Sequence, residues 1–329
     1  MNTFIATLQP MLTLFVCMAV GFILRKTNIL SHDAGKTMAK LETWVFCPAL
    51  NFSTMATFFS LATIKNHAVN VLFGVVTVTL SVLIAVPLAK CFARQKNAER
   101  GVYRYALAFA NSGYVGDPVV LALFGDLALS YYKLFGLPIT IMIYTWGISN
   151  LVPDGERKGS PLKKLLNAPT VGLLLGMVVG ITGLGARMPV FLTSTLNSLK
   201  GCMGPVAMLL AGFTVANYDI KQMLLNKKVY VATALRLVVI PAIILSALFG
   251  IKELAVLLWN VTIGNAVLFL AFFAIATPLG LNTVVFPEAY GGDPKLGASM
   301  AMISHTLCVV TIPLLYALMV WLFGAVAFV

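Results

Sequence analysis

Apolar stretches about as long as a bilayer is thick follow one another along this chain, separated by short polar or basic intervals. Roughly 20 consecutive apolar residues cross the hydrocarbon core as a helix. Ten stretches meet that length: 4–24, 41–60, 67–89, 105–125, 128–151, 168–184, 191–216, 229–250, 254–286 and 295–327. The pattern predicts an all-α polytopic membrane protein of ten transmembrane helices. Two of the ten, the fourth and the ninth, are interrupted by clusters of polar, glycine and proline residues.

The fourth reads FANSGYVGDPVV over 109–120 and packs Asn111, Ser112, Gly113, Gly116, Asp117 and Pro118 into eight residues. The ninth reads ATPLGLNTVVFP over 276–287, with Thr277-Pro278 and Asn282. Backbone freed from a helix inside a bilayer survives only against protein or a water-filled cavity. Arg104 marks the inner edge of the fourth stretch, and the seven residues to Asn111 rise about 10 Å, which puts the break near mid-membrane. Asp117 followed by Pro118 has the form of an N-cap and first-turn proline of a new half-helix. Gly113 and Gly116 let the chain turn. Two half-helix N-termini directed at one cavity make a positive field suited to an anion.

The basic segment VPDGERKGSPLKKLLN (152–167) divides the ten stretches into two sets of five. An odd number sends the second half into the membrane from the opposite side. The expected organisation is a first five-helix repeat over 1–151, a cytoplasmic linker over 152–168 and a second, inverted repeat over 169–329. FCPALNF (46–52) in the second stretch echoes MGPVAMLLAGF (203–213) in the seventh, and each break falls in the penultimate helix of its half. Paired interrupted helices in an inverted repeat point to a transporter's substrate site.

Composition sharpens this picture. The chain is 60% hydrophobic and 10% charged, yet its net charge is +12. With the N-terminus outside, 18 of the 23 basic residues fall on the inner side, in clusters at 25–40, 90–104, 157–164 and 221–236 and at Lys295. Lys65, Lys133, Arg187, Lys200 and Lys252 are counted on the outer side. That bias is the positive-inside rule: the charge reports orientation in an inner membrane, with both termini outside, and no nucleic-acid partner. The first stretch carries its positive charge, Arg25 and Lys26, after the apolar run, so it is expected to stay as a helix and not to act as a cleaved signal. Cys17, Cys47, Cys91, Cys202 and Cys308 have no paired spacing, and neither a disulfide framework, a metal site nor a cofactor follows. Enzyme motifs are missing too: there is no His-Glu-x-x-His, Gly-x-Ser-x-Gly or phosphate loop. PAL at 48–50 with YVGD and YGGD resembles fragments of intramembrane aspartyl proteases. Those need two facing carboxylates, and only Asp117 lies deep, with Asp126 and Asp293 at opposite membrane edges.

Position by position, N-S-G-Y-V-G-D-P (111–118) resembles the broken-helix motif of the auxin efflux carrier family, which includes the plant PIN proteins and bacterial malonate-type carriers. T-P-L-G-L-N-T-V-V-F-P-E-A-Y-G (277–291) resembles that family's other crossing segment, and Arg236, Pro241 and Pro313 fit its pattern. The resemblance covers essentially the whole chain. It implies a scaffold domain, a transport domain with an X-shaped crossing, and movement of small organic anions by a rocking or elevator motion. It also implies that Asn111 holds a substrate carboxylate, and it allows a homodimer. Two features depart from the family: Asp117 stands where an uncharged residue is commoner, and the stretch from Gly250 to Pro278 is long.

The expected substrate is therefore a small mono- or dicarboxylate moved by alternating access through a lipid-embedded carrier. Asn111, Ser112, Gly113, Pro118, Pro278 and Asn282 are the expected binding residues. The ionisable residues at membrane depth, Asp117, His305 and Lys200, are the candidates for proton or ion coupling. Each has a plain structural role open to it: a cap for Asp117, a carbonyl partner for His305, snorkelling to the surface for Lys200. Glu42, at the inner end of its stretch, is expected to be solvated. A Na⁺/H⁺ antiporter or a sodium-coupled anion symporter of similar crossed-helix build is the alternative.

Overall fold

The computed structural model describes residues 3–61, 64–94, 98–151, 167–290 and 295–328. Most of the predicted linker lies outside these. Every regular element among the described residues is helical: α1 (Thr3–Lys26), α2 (Ala34–Leu41), α3 (Cys47–Phe58), α4 (Ile64–Phe92), α5 (Ala98–Ala108), α6 (Asp117–Met142), α7 (Ile148–Leu151), α8 (Ala168–Ile181), α9 (Val190–Val215), α10 (Ile220–Leu225), α11 (Lys227–Ala234), α12 (Ile240–Trp259), α13 (Ala266–Ile275), α14 (Asn282–Tyr290) and α15 (Lys295–Phe323). Among the described residues, six continuous helical stretches are long and apolar enough to cross a membrane, and α8 and α13 are shorter and apolar. On α15 the exposed large side chains Leu307, Val310, Leu314, Leu318 and Trp321 recur at helical spacing, the stripe that lipid would cover. The chain is a multi-pass membrane protein.

Among the described residues, four turns widen to π-helical geometry, at Glu42–Phe46, Ser112–Gly116, Ile143–Gly147 and Leu235–Val239. Three of them are followed two residues on by a proline: Pro48, Pro118 and Pro241. A proline brings no N–H to the ladder, and its ring clashes with the carbonyl four residues back. Widening the preceding turn relieves both problems without ending the helix.

α6 does not run straight. At Gly125 the backbone has φ 80° and ψ −176°, a conformation open essentially to glycine alone, and the helix doubles back there. The 40-residue stretch Ser112–Leu151 therefore accounts for parts of both the fourth and the fifth predicted segments. Farther along, α12 continues to Trp259 and ends at Asn260 in the left-handed conformation (φ 53°). The segment predicted over 254–286 is corrected accordingly: its first residues belong to α12, and α13 begins at Ala266. The gap expected between 250 and 254 does not occur: Lys252 and Glu253 lie within α12, where they pair with each other at 2.8 Å.

Helices from the two halves of the chain pack together. α1 lies along α9 and α3 along α8. The α3–α8 contact is close because Gly172, Gly176 and Gly180 line one face of α8, the small-residue stripe that lets membrane helices approach. A Cβ at Gly176 would sit 2.6 Å from the Phe52 carbonyl oxygen and 2.9 Å from the Met55 Cβ. Gly176→Ile should therefore force the two helices apart, at a cost of about 1–3 kcal/mol. Thermal unfolding of the purified protein in detergent checks this; an unchanged midpoint would contradict the packing. α13 has the opposite character: Val267–Ile275 are all buried, so this helix is apolar on every side and runs through the interior toward the site.

Candidate functional site

α5 ends at Ala108 and α13 at Ile275, and the extended segments that follow them meet. Ala110 and Leu279 form an antiparallel bridge, and the Asn111 N–H donates to the Pro278 carbonyl at 2.7 Å. The two breaks read from the sequence thus cross one another. Their freed backbone groups are largely answered. Arg236, fully buried, donates from Nη1 to the Leu107 carbonyl at the end of α5 (3.1 Å). The Tyr132 hydroxyl lies 3.2 Å from the Ser112 carbonyl and 3.1 Å from that of Phe273, bridging the two segments. The Leu279 N–H donates to Ser304 Oγ at 3.1 Å.

Asn111 organises the first break. Its Oδ1 accepts from the Tyr114 N–H at 3.3 Å, so Asn111 is the cap of the new half-helix. The expected cap, Asp117, is corrected by this: it has helical φ/ψ, no cap bond, and a position one turn inside the helix. Asn111 Nδ2 lies 3.0 Å from His305 Nε2, and His305 Nδ1 lies 2.7 Å from the Ala301 carbonyl. A carbonyl only accepts, so Nδ1 carries the proton and Nε2 receives one from the amide. His305 is thereby a neutral prop that orients Asn111, leaving one amide N–H unused.

The carboxylate of Asp117 is paired instead with the ammonium of Lys133, and both side chains are at least nine-tenths buried. Sixteen residues of straight helix would separate the two by about 24 Å, so the pair exists only because α6 reverses at Gly125. Lys133 had been counted with the outer side; the signal for it was a cation inside the stretch 128–151, where ionisable groups are rare and functional. Lys200, by contrast, pairs with Asp126 at 2.6 Å near the reversal and does not reach the crossing.

A cavity of about 170 Å³ opens beside the crossing. Asn111, Ser112, Gly113 and Asn282 form one side, Asp117, Tyr132 and Lys133 a second, and Cys47, Asn51, Pro169 and Thr170 of α3 and α8 a third. With Tyr114's N–H taken, the Ser112 and Gly113 N–H groups are the remaining first-turn donors at the wall. A Cβ at Gly113 would meet nothing within 4 Å, so this backbone is open to the cavity. Asn282 Nδ2 donates to the Tyr105 hydroxyl at 2.8 Å, and Asn51 Nδ2 to the Pro169 carbonyl at 2.9 Å. Of the remaining expected binding residues, Pro278 acts through its carbonyl, and Pro118 packs where a Cβ on Gly204 would fall, 2.9 Å away.

Apolar helices interrupted at a polar, donor-lined cavity define a membrane transport protein. The chain belongs to the auxin efflux carrier family: the family model described as "Membrane transport protein" matches it over residues 6–160 and 157–316. It is similar to an uncharacterized transporter of Methanothermobacter thermautotrophicus, 25% identical over 217 residues, covering 64% of this chain and 69% of that one. It is also similar to an uncharacterized transporter of Methanocaldococcus jannaschii, 23% identical over 314 residues, covering 93% of this chain and 97% of that one.

Proposed function

We propose that this protein is a carrier of small organic anions, mono- or dicarboxylates, that crosses the inner membrane ten times as two inverted five-helix repeats with both termini outside. The observation that carries the reading is the donor set around the cavity: the free amide N–H of Asn111 and the first-turn N–H groups of Ser112 and Gly113, beside the Lys133 ammonium that is shared with Asp117. A carboxylate offers acceptors only, and such a set complements it. The cavity is smaller than the roughly 300–1,000 Å³ typical of drug-sized ligands, which favours a substrate of few heavy atoms.

The helix pairing supports the inverted repeat. Counted as ten segments, α1 against α9 pairs the first with the seventh, and α3 against α8 pairs the second with the sixth. Exchanging the halves turns one contact into the other. The bridge between the fourth and ninth segments maps onto itself. The cavity lies between the α3–α8 wall and the crossing, so relative movement of these two parts would expose it to one side and then the other.

The cation-antiporter reading drawn from the sequence rests on the deep carboxylate of Asp117, and that group is engaged by the Lys133 ammonium. Malonate applied to proteoliposomes on a solid-supported membrane should evoke charge movement, with or without Na⁺. A response to Na⁺ or pH steps alone, with silence to malonate and other carboxylates, would reject the anion carrier.

A further inference from the structure

The coupling candidates drawn from the sequence are all engaged: Asp117 by Lys133, Lys200 by Asp126, His305 by Asn111 and Ala301. A different acid is not. Glu42, expected to be solvated, is fully buried, and neither of its carboxyl oxygens has a hydrogen-bond partner among the described residues. Its neighbours Leu41 and Trp44 are exposed and Lys40 faces outward, so Glu42 is the side chain that turns in. It opens the first π-helical turn, and such turns recur at functional positions.

The surroundings of Glu42 connect it with the cavity. Thr43, one residue on, lines the cavity, as do Cys47 and Tyr114. The turn packs against α2, α3, α8 and α9. Neither α8 nor residues 203–215 of α9 carry an ionisable group, and Lys36 and Lys40 of α2 are exposed. Among the described residues, no cation pairs with Glu42.

Resting on the anion-carrier reading above, we propose that Glu42 is the proton site of the carrier, protonated while the anion occupies the cavity and deprotonated when the anion has left. An ionised Glu42 and a bound anion repel one another, so each is favoured by neutralising the other. By linkage the coupling is reciprocal: the proton strengthens anion binding by the same factor as the anion strengthens proton binding. On loading, a hydronium ion gives its proton to a Glu42 oxygen and an O–H bond forms. On unloading, that bond breaks, the proton passes to water and the electron pair stays on the carboxylate. One proton moving with a monocarboxylate carries no net charge, while one moving with a malonate dianion carries one negative charge.

The test uses the full chain in proteoliposomes containing a pH-sensitive dye. Malonate counterflow at symmetric pH measures the carrier cycle without a proton gradient; malonate uptake under an inward proton gradient, with internal acidification, measures coupling. Glu42→Gln should keep counterflow and lose gradient-driven accumulation and acidification at least tenfold. Should Glu42→Gln still acidify the interior like wild type, or should wild type exchange malonate without moving protons, the Glu42 proposal is overturned and the anion carrier stands. No malonate counterflow or uptake by wild type would remove the carrier reading itself. Infrared difference spectra cover the case of a misfolded variant: malonate should change the carboxylic-acid carbonyl band of wild type, and Glu42→Asp should move that band. A spectrum without such a band overturns the assignment.

Discussion

Lys133→Met should unfold at a markedly lower temperature than wild type, because it strands the buried carboxylate of Asp117. Breaking one partner of a buried pair costs about 3–5 kcal/mol, far more than the net worth of the pair, since the remaining charge has lost both water and counter-ion. Replacing both residues, Lys133→Met with Asp117→Asn, should recover most of that loss. Unfolding midpoints of the four members of this cycle measure the coupling directly. Transport should separate the variants further. Lys133→Met leaves a bare negative charge in the cavity wall and should give no malonate-evoked current. Asp117→Asn frees the ammonium for the anion and should lower the half-saturating malonate concentration. Equal midpoints for the single and double variants would show that the two groups do not share a buried pair.

Asn111→Ala should raise the half-saturating malonate concentration by at least tenfold with the crossing still formed. A hydrogen bond to a charged group contributes about 1.5–3 kcal/mol, and each 1.4 kcal/mol is about tenfold in affinity. The structural penalty is smaller: losing the cap costs about 1 kcal/mol. The bond that joins the two breaks, from the Asn111 N–H to the Pro278 carbonyl, is main chain and survives the substitution. His305→Ala should weaken binding less, since His305 only orients the amide. Unaltered concentration dependence in Asn111→Ala would remove the amide from the binding site.

Helix composition explains which parts of this molecule were legible beforehand. Membrane helices announce themselves by length and apolarity, and a break inside one needs Gly, Pro and small polar residues, so both crossings could be located to within a few residues. Asn111 and Asn282 stand in those breaks, and both line the cavity. What a linear reading cannot supply is the partner of each polar group. Asp117-Pro118 has every local mark of a cap, but the half-helix starts earlier: Asn111, six residues before, caps it at the Tyr114 N–H, so Asp117 falls inside the helix. Lys133 was visible as a charge inside an apolar stretch, but its pairing depended on the reversal at Gly125. Glu42 sat at a predicted membrane edge where solvation is the ordinary expectation; its burial comes from α8 and α9, elements well over a hundred residues away in the chain.

The bridge between Ala110 and Leu279 carries one more implication. It is built from peptide groups, so the two interrupted helices are stitched together by atoms that nearly every side-chain replacement leaves in place. On the carrier reading proposed above, the two interrupted helices would then move as one platform instead of as two independent gates, and their half-helix N-termini would stay side by side.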